Sequence, residues 1–212
     1  KMIALLLLFV VATSILAVTL SKQVTIQALY PKKLTSLYLR GDNCGLSWDK
    51  GIKLNLASSF QTQPINGTVA GEGYVYSGVI TCSSATSKVE VKVLVEDKTW
   101  MIGSNHHINI QASTTDNLVE QIYPWFYTSK GSLNIISKVY SKELTNFRDV
   151  IVYTPPSYLE NTLKTHRNVL IMHDGQNLFD PKTSAFGTAW MCQNTVDSLV
   201  VQGAMDEVII VG

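Results

Sequence analysis

The sequence predicts an all-β sandwich followed by the opening part of an α/β domain, and two observations carry that expectation. Across residues 24–110, short runs alternate apolar and polar residues with no convincing helix between them. Further on, two short and almost wholly apolar runs, NVLIMH (168–173) and EVIIVG (207–212), flank an amphipathic stretch. That is the pattern of a strand–helix–strand unit in a mostly parallel sheet. The expected organisation is a leader over residues 1–20, a β-sandwich over 21–115 and an α/β segment over 116–212.

The leader comes first. After Lys1 the chain runs MIALLLLFVVATSILAVTL, an apolar stretch that gives way to small residues at Ala12, Thr13, Ser14 and Ala17. This is the layout of a secretory signal peptide cut near 17–21. The stretch is also nearly long enough to remain as a membrane anchor, so a membrane is a partner only if it stays uncleaved. Export agrees with an N-glycosylation sequon at Asn66-Gly67-Thr68, which would make the protein a glycoprotein. Three cysteines allow one disulfide and one free thiol. Cys44 and Cys82 share the β-rich region, so they are the expected pair, with Cys192 left over.

In the sandwich region, LTSLYLR (34–40), YVYSGVIT (74–81) and KVEVKVLVE (88–96) read as half-buried strands. Gly-, Asn-, Asp- and Ser-rich pieces at 41–45, 66–73 and 83–87 separate them. Residues 111–117 (QASTTDN) read as a linker, and the aromatic run at 123–127 (YPWFY) either packs the two regions together or lines a groove. His106-His107 invites a metal reading. Neighbours on a strand point to opposite faces, however, so no metal site is expected there.

In the second region, 133–140 and 149–153 are expected strands, the latter stopped by Pro155-Pro156. A helix is expected over 189–202, with Ala189, Cys192, Val196, Leu199 and Val200 on its apolar face and Gly203 ending it. The sheet would then lack the helices that cover its faces, so the chain reads as a fragment of a longer α/β domain. Net charge is +1 with no basic block, which excludes nucleic acid as an expected partner.

The segment that carries chemistry is HDGQNLFD (173–180), directly after an expected buried strand and so at the carboxyl end of the sheet, where such sheets hold ligands. Gly175 permits a tight turn and leaves the Gln176 amide free to point outward. Acyl transfer holds its developing oxyanion on backbone N–H groups of this kind. The same four residues could equally be an ordinary turn, with His173 and Asp174 as structural hydrogen-bonders.

Residues 148–212 resemble the start of the esterase family that includes enterochelin-type, feruloyl and acetyl-xylan esterases and the mycolyltransferases, which are α/β-hydrolases. The likeness rests on RDVIVYTPPSY (148–158), HDGQNLFD (173–180) and Trp190, in order and at suitable spacing over roughly the last third of the chain. It implies a secreted serine carboxylic-ester hydrolase acting through an acyl-enzyme, or less readily an acyltransferase. Gln176 would supply one oxyanion-hole amide, and His173, Asp174, Gly175 and Trp190 would line the pocket. No cofactor is implied, since serine acyl transfer needs none. The family's G-x-S-x-G nucleophile is absent, and Gly45-Leu46-Ser47-Trp48-Asp49 lacks the second Gly. The catalytic Ser, acid and His are therefore expected beyond residue 212, and the fragment alone is expected to be inactive.

LRGDNCGLSWDKGIKL (39–54) and KTWMIGSN (98–105) resemble segments of Ig-like starch- or glycogen-binding modules. The likeness implies that Trp48 and Trp100 stack on sugar rings of a starch- or glycogen-like polysaccharide. Either indole could instead fill the sandwich core, the commoner use of Trp. The expected partners are thus an ester substrate of small-molecule or carbohydrate type, and such a polysaccharide. The alternative function is a secreted carbohydrate-binding or interaction protein whose α/β part is inactive.

Overall fold

A computed structural model of the chain describes residues 21–62, 71–111 and 117–212. The expected leader, the sequon at Asn66 and most of the expected linker lie outside the described residues.

The first sheet has eight strands: β1 (Ser21–Tyr30), β2 (Leu37–Gly41), β3 (Ile52–Gln61), β4 (Glu72–Ser83), β5 (Lys88–Val95), β6 (Thr99–Trp100), β7 (His106–Asn109) and β8 (Asn117–Ile122). They run in the order β6-β5-β2-β3-β4-β1-β8, with β7 also on β5. All neighbours are antiparallel except β1 and β8. Strand β3 belongs to two halves. Its Ile52–Leu54 stretch pairs with β2, and from Asn55 onward it pairs with β4, with an irregularity between Leu56 and Ser58.

Such a bend lets a sheet fold over its own core. Val89, Val91, Val93 and Val95 alternate inward from β5, against Val24 and Ile26 of β1, Leu37 and Leu39 of β2, and Ile80 of β4. The Cys44–Cys82 disulfide ties the β2–β3 loop to β4. Cys192 is free.

The second sheet runs β11-β12-β10-β9, from β9 (Ser132–Ser141), β10 (Asn146–Thr154), β11 (Val169–Ile171) and β12 (Ile209–Val211). Helices α1 (Ser157–Glu160) and α2 (Cys192–Val201) accompany it. Here the expected α/β-hydrolase fold is wrong. Among the described residues 46% are strand and 9% helix, with only two α-helices, whereas an α/β-hydrolase needs many.

The reasons are visible in the elements. β9 and β10 form a long antiparallel hairpin, and β10 pairs antiparallel with β12. The only parallel contact in this sheet, β11 with β12, is three residues long. The apolar run at 169–171 was expected to be buried on both faces. It is instead an edge strand, with Ile171 78% exposed. An apolar run reports β-propensity, and the cover over it is a separate matter.

Helix α2 is shorter than expected, because Met191 takes a left-handed conformation (φ 54°) and starts it late. It buries Val196, Asp197 and Val200, while Leu199 stays outside. Asp197 is buried because its carboxylate accepts the Tyr153 hydroxyl (2.7 Å) and the Gly131 N–H (2.7 Å).

The aromatic run divides between the two cores. Phe126 packs into the first, and Trp125 packs with Tyr153, Leu178, Val196 and Ile210 in the second. Two carboxylates clamp the junction, Glu160 half-buried and Glu207 buried. Glu160 accepts the N–H groups of Phe126 (2.6 Å), Tyr127 (3.0 Å) and Thr128 (2.8 Å), together with the Thr128 and Tyr30 hydroxyls. Glu207 accepts the Ser157 N–H (2.9 Å) and hydroxyl (2.5 Å) and the Lys164 ammonium (2.5 Å).

Candidate functional site

Trp48 and Trp100 come from different hairpins, and the first sheet brings them together. Trp48 sits in the loop between β2 and β3; Trp100 closes β6, opposite Leu94 of β5. Their ring centroids are 6.1 Å apart and their planes differ by 35°. Both are more than a third exposed, whereas the core indole of Trp125 is only 5% exposed. The pair therefore belongs to the surface and leaves the first core to aliphatic side chains.

The loop under Trp48 is held at both ends. Cys44 anchors it to β4, and Arg40 of β2 anchors it to the β5–β6 turn. The Arg40 guanidinium donates to Asp97 Oδ1 (2.8 Å), to the Asp97 carbonyl (3.0 Å) and to the Trp48 carbonyl (2.9 Å). Its carbon also lies 5.2 Å from the centre of the Trp100 ring, within cation–π range. One arginine thus fixes the backbone of one tryptophan and backs the ring of the other. Its hydrogen bond holds the Asp97 carboxyl below the usual carboxylate range, with help from the Gly51 N–H. Gly51 must be glycine, since a Cβ there would lie 2.4 Å from Asp97 Oδ1. An aromatic pair braced in this way loses little freedom when a ligand settles on it.

The loop after β11 offers a different chemistry. Asp174 is left-handed (φ 56°), and Gly175 opens a 3₁₀ turn over Gly175–Asn177. Gly175 packs directly on the end of β12, where a Cβ would sit 2.3 Å from the Gly212 carbonyl carbon. Asn177 N–H donates to the Asp174 carbonyl (2.7 Å), and the Asn177 side chain accepts the Ala185 N–H (3.0 Å). Leu178 and Phe179 plug the loop into the second core. The N–H of Gln176 donates to no acceptor among the described residues and sits on an exposed residue.

His173, Asp174 and Trp190 are exposed around this loop, and the Trp190 N–H donates to the Asn177 carbonyl (2.8 Å). The loop therefore presents one free amide donor. Among the described residues, no nucleophile with a base beside it joins that donor.

The constellation closest to a nucleophilic triad is Ser157, His166 and Glu207, which sequence reading did not single out. Ser157 Oγ lies 2.9 Å from His166 Nε2. A triad needs one imidazole nitrogen on the serine and the other on the acid. Here Nε2 faces both, 3.4 Å from Glu207 Oε2, and the serine hydroxyl donates straight to Glu207. Ser157 is also fully buried. The cluster is a structural clamp. His106 and His107, on opposite faces of β7, pair with Glu120 (2.7 Å) and Glu90 (3.4 Å).

No protein-family model matches the sequence, and no curated protein matches it.

Proposed function

We infer that the chain is an exported carbohydrate-binding protein that holds a polysaccharide of the starch or glycogen type on the Trp48–Trp100 platform. The observation that carries this reading is the braced, exposed indole pair. A sugar ring turns a face of C–H groups outward, and the electron-rich face of an indole attracts such weakly positive hydrogens. Two indoles tilted by 35° form an angled floor, which favours a curved glucan over a flat one. The Cys44–Cys82 disulfide is compatible with export to an oxidising compartment.

The test is depletion of the protein by insoluble starch. Trp48→Ala and Trp100→Ala should each weaken retention by roughly thirty-fold, the effect of losing about 2 kcal/mol at a binding hot spot. The melting temperature should barely change, since neither indole is in the core. Retention that survives both changes together would refute the platform.

A second reading, ester hydrolysis by a serine acyl-enzyme, is favoured by the free Gln176 amide. It requires a nucleophile, acid and base from outside the described residues. Proline has no N–H but suits the opening of a helical turn, so Gln176→Pro deletes the donor and no existing hydrogen bond. If the natural full-length protein hydrolyses p-nitrophenyl acetate, Gln176→Pro should lower kcat by about 100- to 1,000-fold. Gln176→Ala should leave it unchanged. Equal activity in the proline variant would remove Gln176 from the chemistry.

A further inference from the structure

The loop that carries Trp48 runs between two pinned points. Asp42 is fixed to β5, its N–H donating to the Glu90 carbonyl (3.1 Å) and its carboxylate accepting the Glu90 N–H (2.7 Å). Gly51 is fixed by its N–H, which donates to Asp97 Oδ2 (3.3 Å). Between them the chain turns at 43–46, where the Leu46 N–H donates to the Asn43 carbonyl (2.8 Å). Three successive residues of this turn are left-handed: Asn43 (φ 55°), Cys44 (φ 49°) and Gly45 (φ 78°). Asparagine and glycine suit such positions, whereas cysteine does not. Cys44 is held there by its bond to Cys82 of β4.

The other ties on the outer half of the loop are weaker. Leu46 packs only partly buried against the first core, and the Arg40 hydrogen bond to the Trp48 carbonyl (2.9 Å) lies in water. Trp100, by contrast, stands on the β5–β6 ladder and needs no such tie. The two half-cystines also differ in access, for Cys44 is half-buried and Cys82 is fully buried. Strained or exposed disulfides are the ones that thiols open.

We propose that the Cys44–Cys82 disulfide is a redox latch on the Trp48–Trp100 platform. Closed, it holds the two indoles together for the glucan; opened by a dithiol, it lets the site come apart. The thiolate of the dithiol attacks Cys44 Sγ and expels the Cys82 thiolate. The second sulfur of the dithiol then displaces Cys44, so the reductant leaves as a cyclic disulfide and its two protons end on the cysteines. Freed, Cys44 leaves the left-handed region, and the turn carries Trp48 away from Trp100. The consequence for binding rests on the glucan-platform reading, while the movement of the loop rests on the turn alone.

The test compares the oxidised chain with the chain treated with dithiothreitol, both titrated with maltoheptaose and read on the indole N–H signals. Reduction should raise the free thiols from Cys192 alone to all three cysteines. It should also move the Trp48 signal before any sugar is added, with the core Trp125 signal unmoved. The apparent Kd should rise about tenfold, because relief of one left-handed residue leaves about a tenth of the loops in the binding shape. Cys44→Ala/Cys82→Ala should bind as the reduced chain does and ignore the reductant. Cys44→Gly/Cys82→Ala, whose turn stays left-handed without a crosslink, should recover most of the lost affinity. A Kd equal in the two redox forms, a Trp48 signal that stays fixed on reduction, or a disulfide that opens only when the Trp125 signal reports unfolding would each overturn the latch. If neither form binds maltoheptaose, the platform reading fails, and the Trp48 signal on reduction still decides whether the loop is latched.

Discussion

Glu207→Ala lowers the stability of the chain by about 3–5 kcal/mol, the cost of removing one partner from a buried ion pair. Glu207 is buried, and it receives the N–H and hydroxyl of Ser157 and the ammonium of Lys164. Without it, a helix-start N–H, a buried serine and a lysine lying over the Trp125 ring lose their acceptor together. Glu207→Gln keeps an acceptor for Ser157 and should cost less. Urea unfolding of the two variants measures the difference.

The same group sets the acid limit. Burial alone would raise its pKa, but the His166 hydrogen bond, the Lys164 charge and hydrogen bond, and Ser157 outweigh it and hold the carboxyl at about 2. Its folded pKa is below its unfolded value of about 4.3, so its stabilisation is complete above that value. It is lost as pH falls from there towards about 2, a loss of roughly 3 kcal/mol that Glu207→Gln should lack.

Glu160→Ala is the second large effect, about 1–3 kcal/mol, because it strands partly buried donors at the junction. Three successive N–H groups, from Phe126 to Thr128, converge on this one carboxylate. Burial again raises its pKa, while the Phe126 N–H, the Thr128 hydroxyl and the other two N–H groups lower it to a net depression. Its contribution is therefore also lost in acid. Glu160→Gln recovers only part of the stability, because its NH₂ group would face N–H groups. Hydrogen exchange at residues 126–128 should accelerate in both variants before the sheet amides respond.

How far the sequence disclosed this molecule depends on the element. The alternation at 88–96 is legible because every second residue of β5 is a valine that faces one core. β3 was not legible, since most of its residues after Leu54 are exposed and mix polar with apolar. The run at 168–173 misled in the other direction. Its composition suits a buried parallel strand, but β11 lies at a sheet edge with both neighbours of Leu170 exposed.

The site residues divide in the same way. Trp48 and Trp100 can be named from their local motifs, but only the pairing of β6 on β5 and the path of the β2–β3 loop bring them within contact. Arg40, which braces both, reads in sequence as one more strand charge. Glu160 and Glu207 also look like ordinary surface acids, because nothing local reveals which N–H groups will converge on them.

The proposed glucan platform is the indole pair, and the most direct measurement watches those rings. The chain has four tryptophans, hence four indole N–H signals, each assignable by single substitution. On titration with maltoheptaose, the Trp48 and Trp100 signals should shift together along one saturation curve, with Trp190 unmoved. If both stay fixed while the protein is folded, the platform does not bind a glucan and the proposed function is wrong.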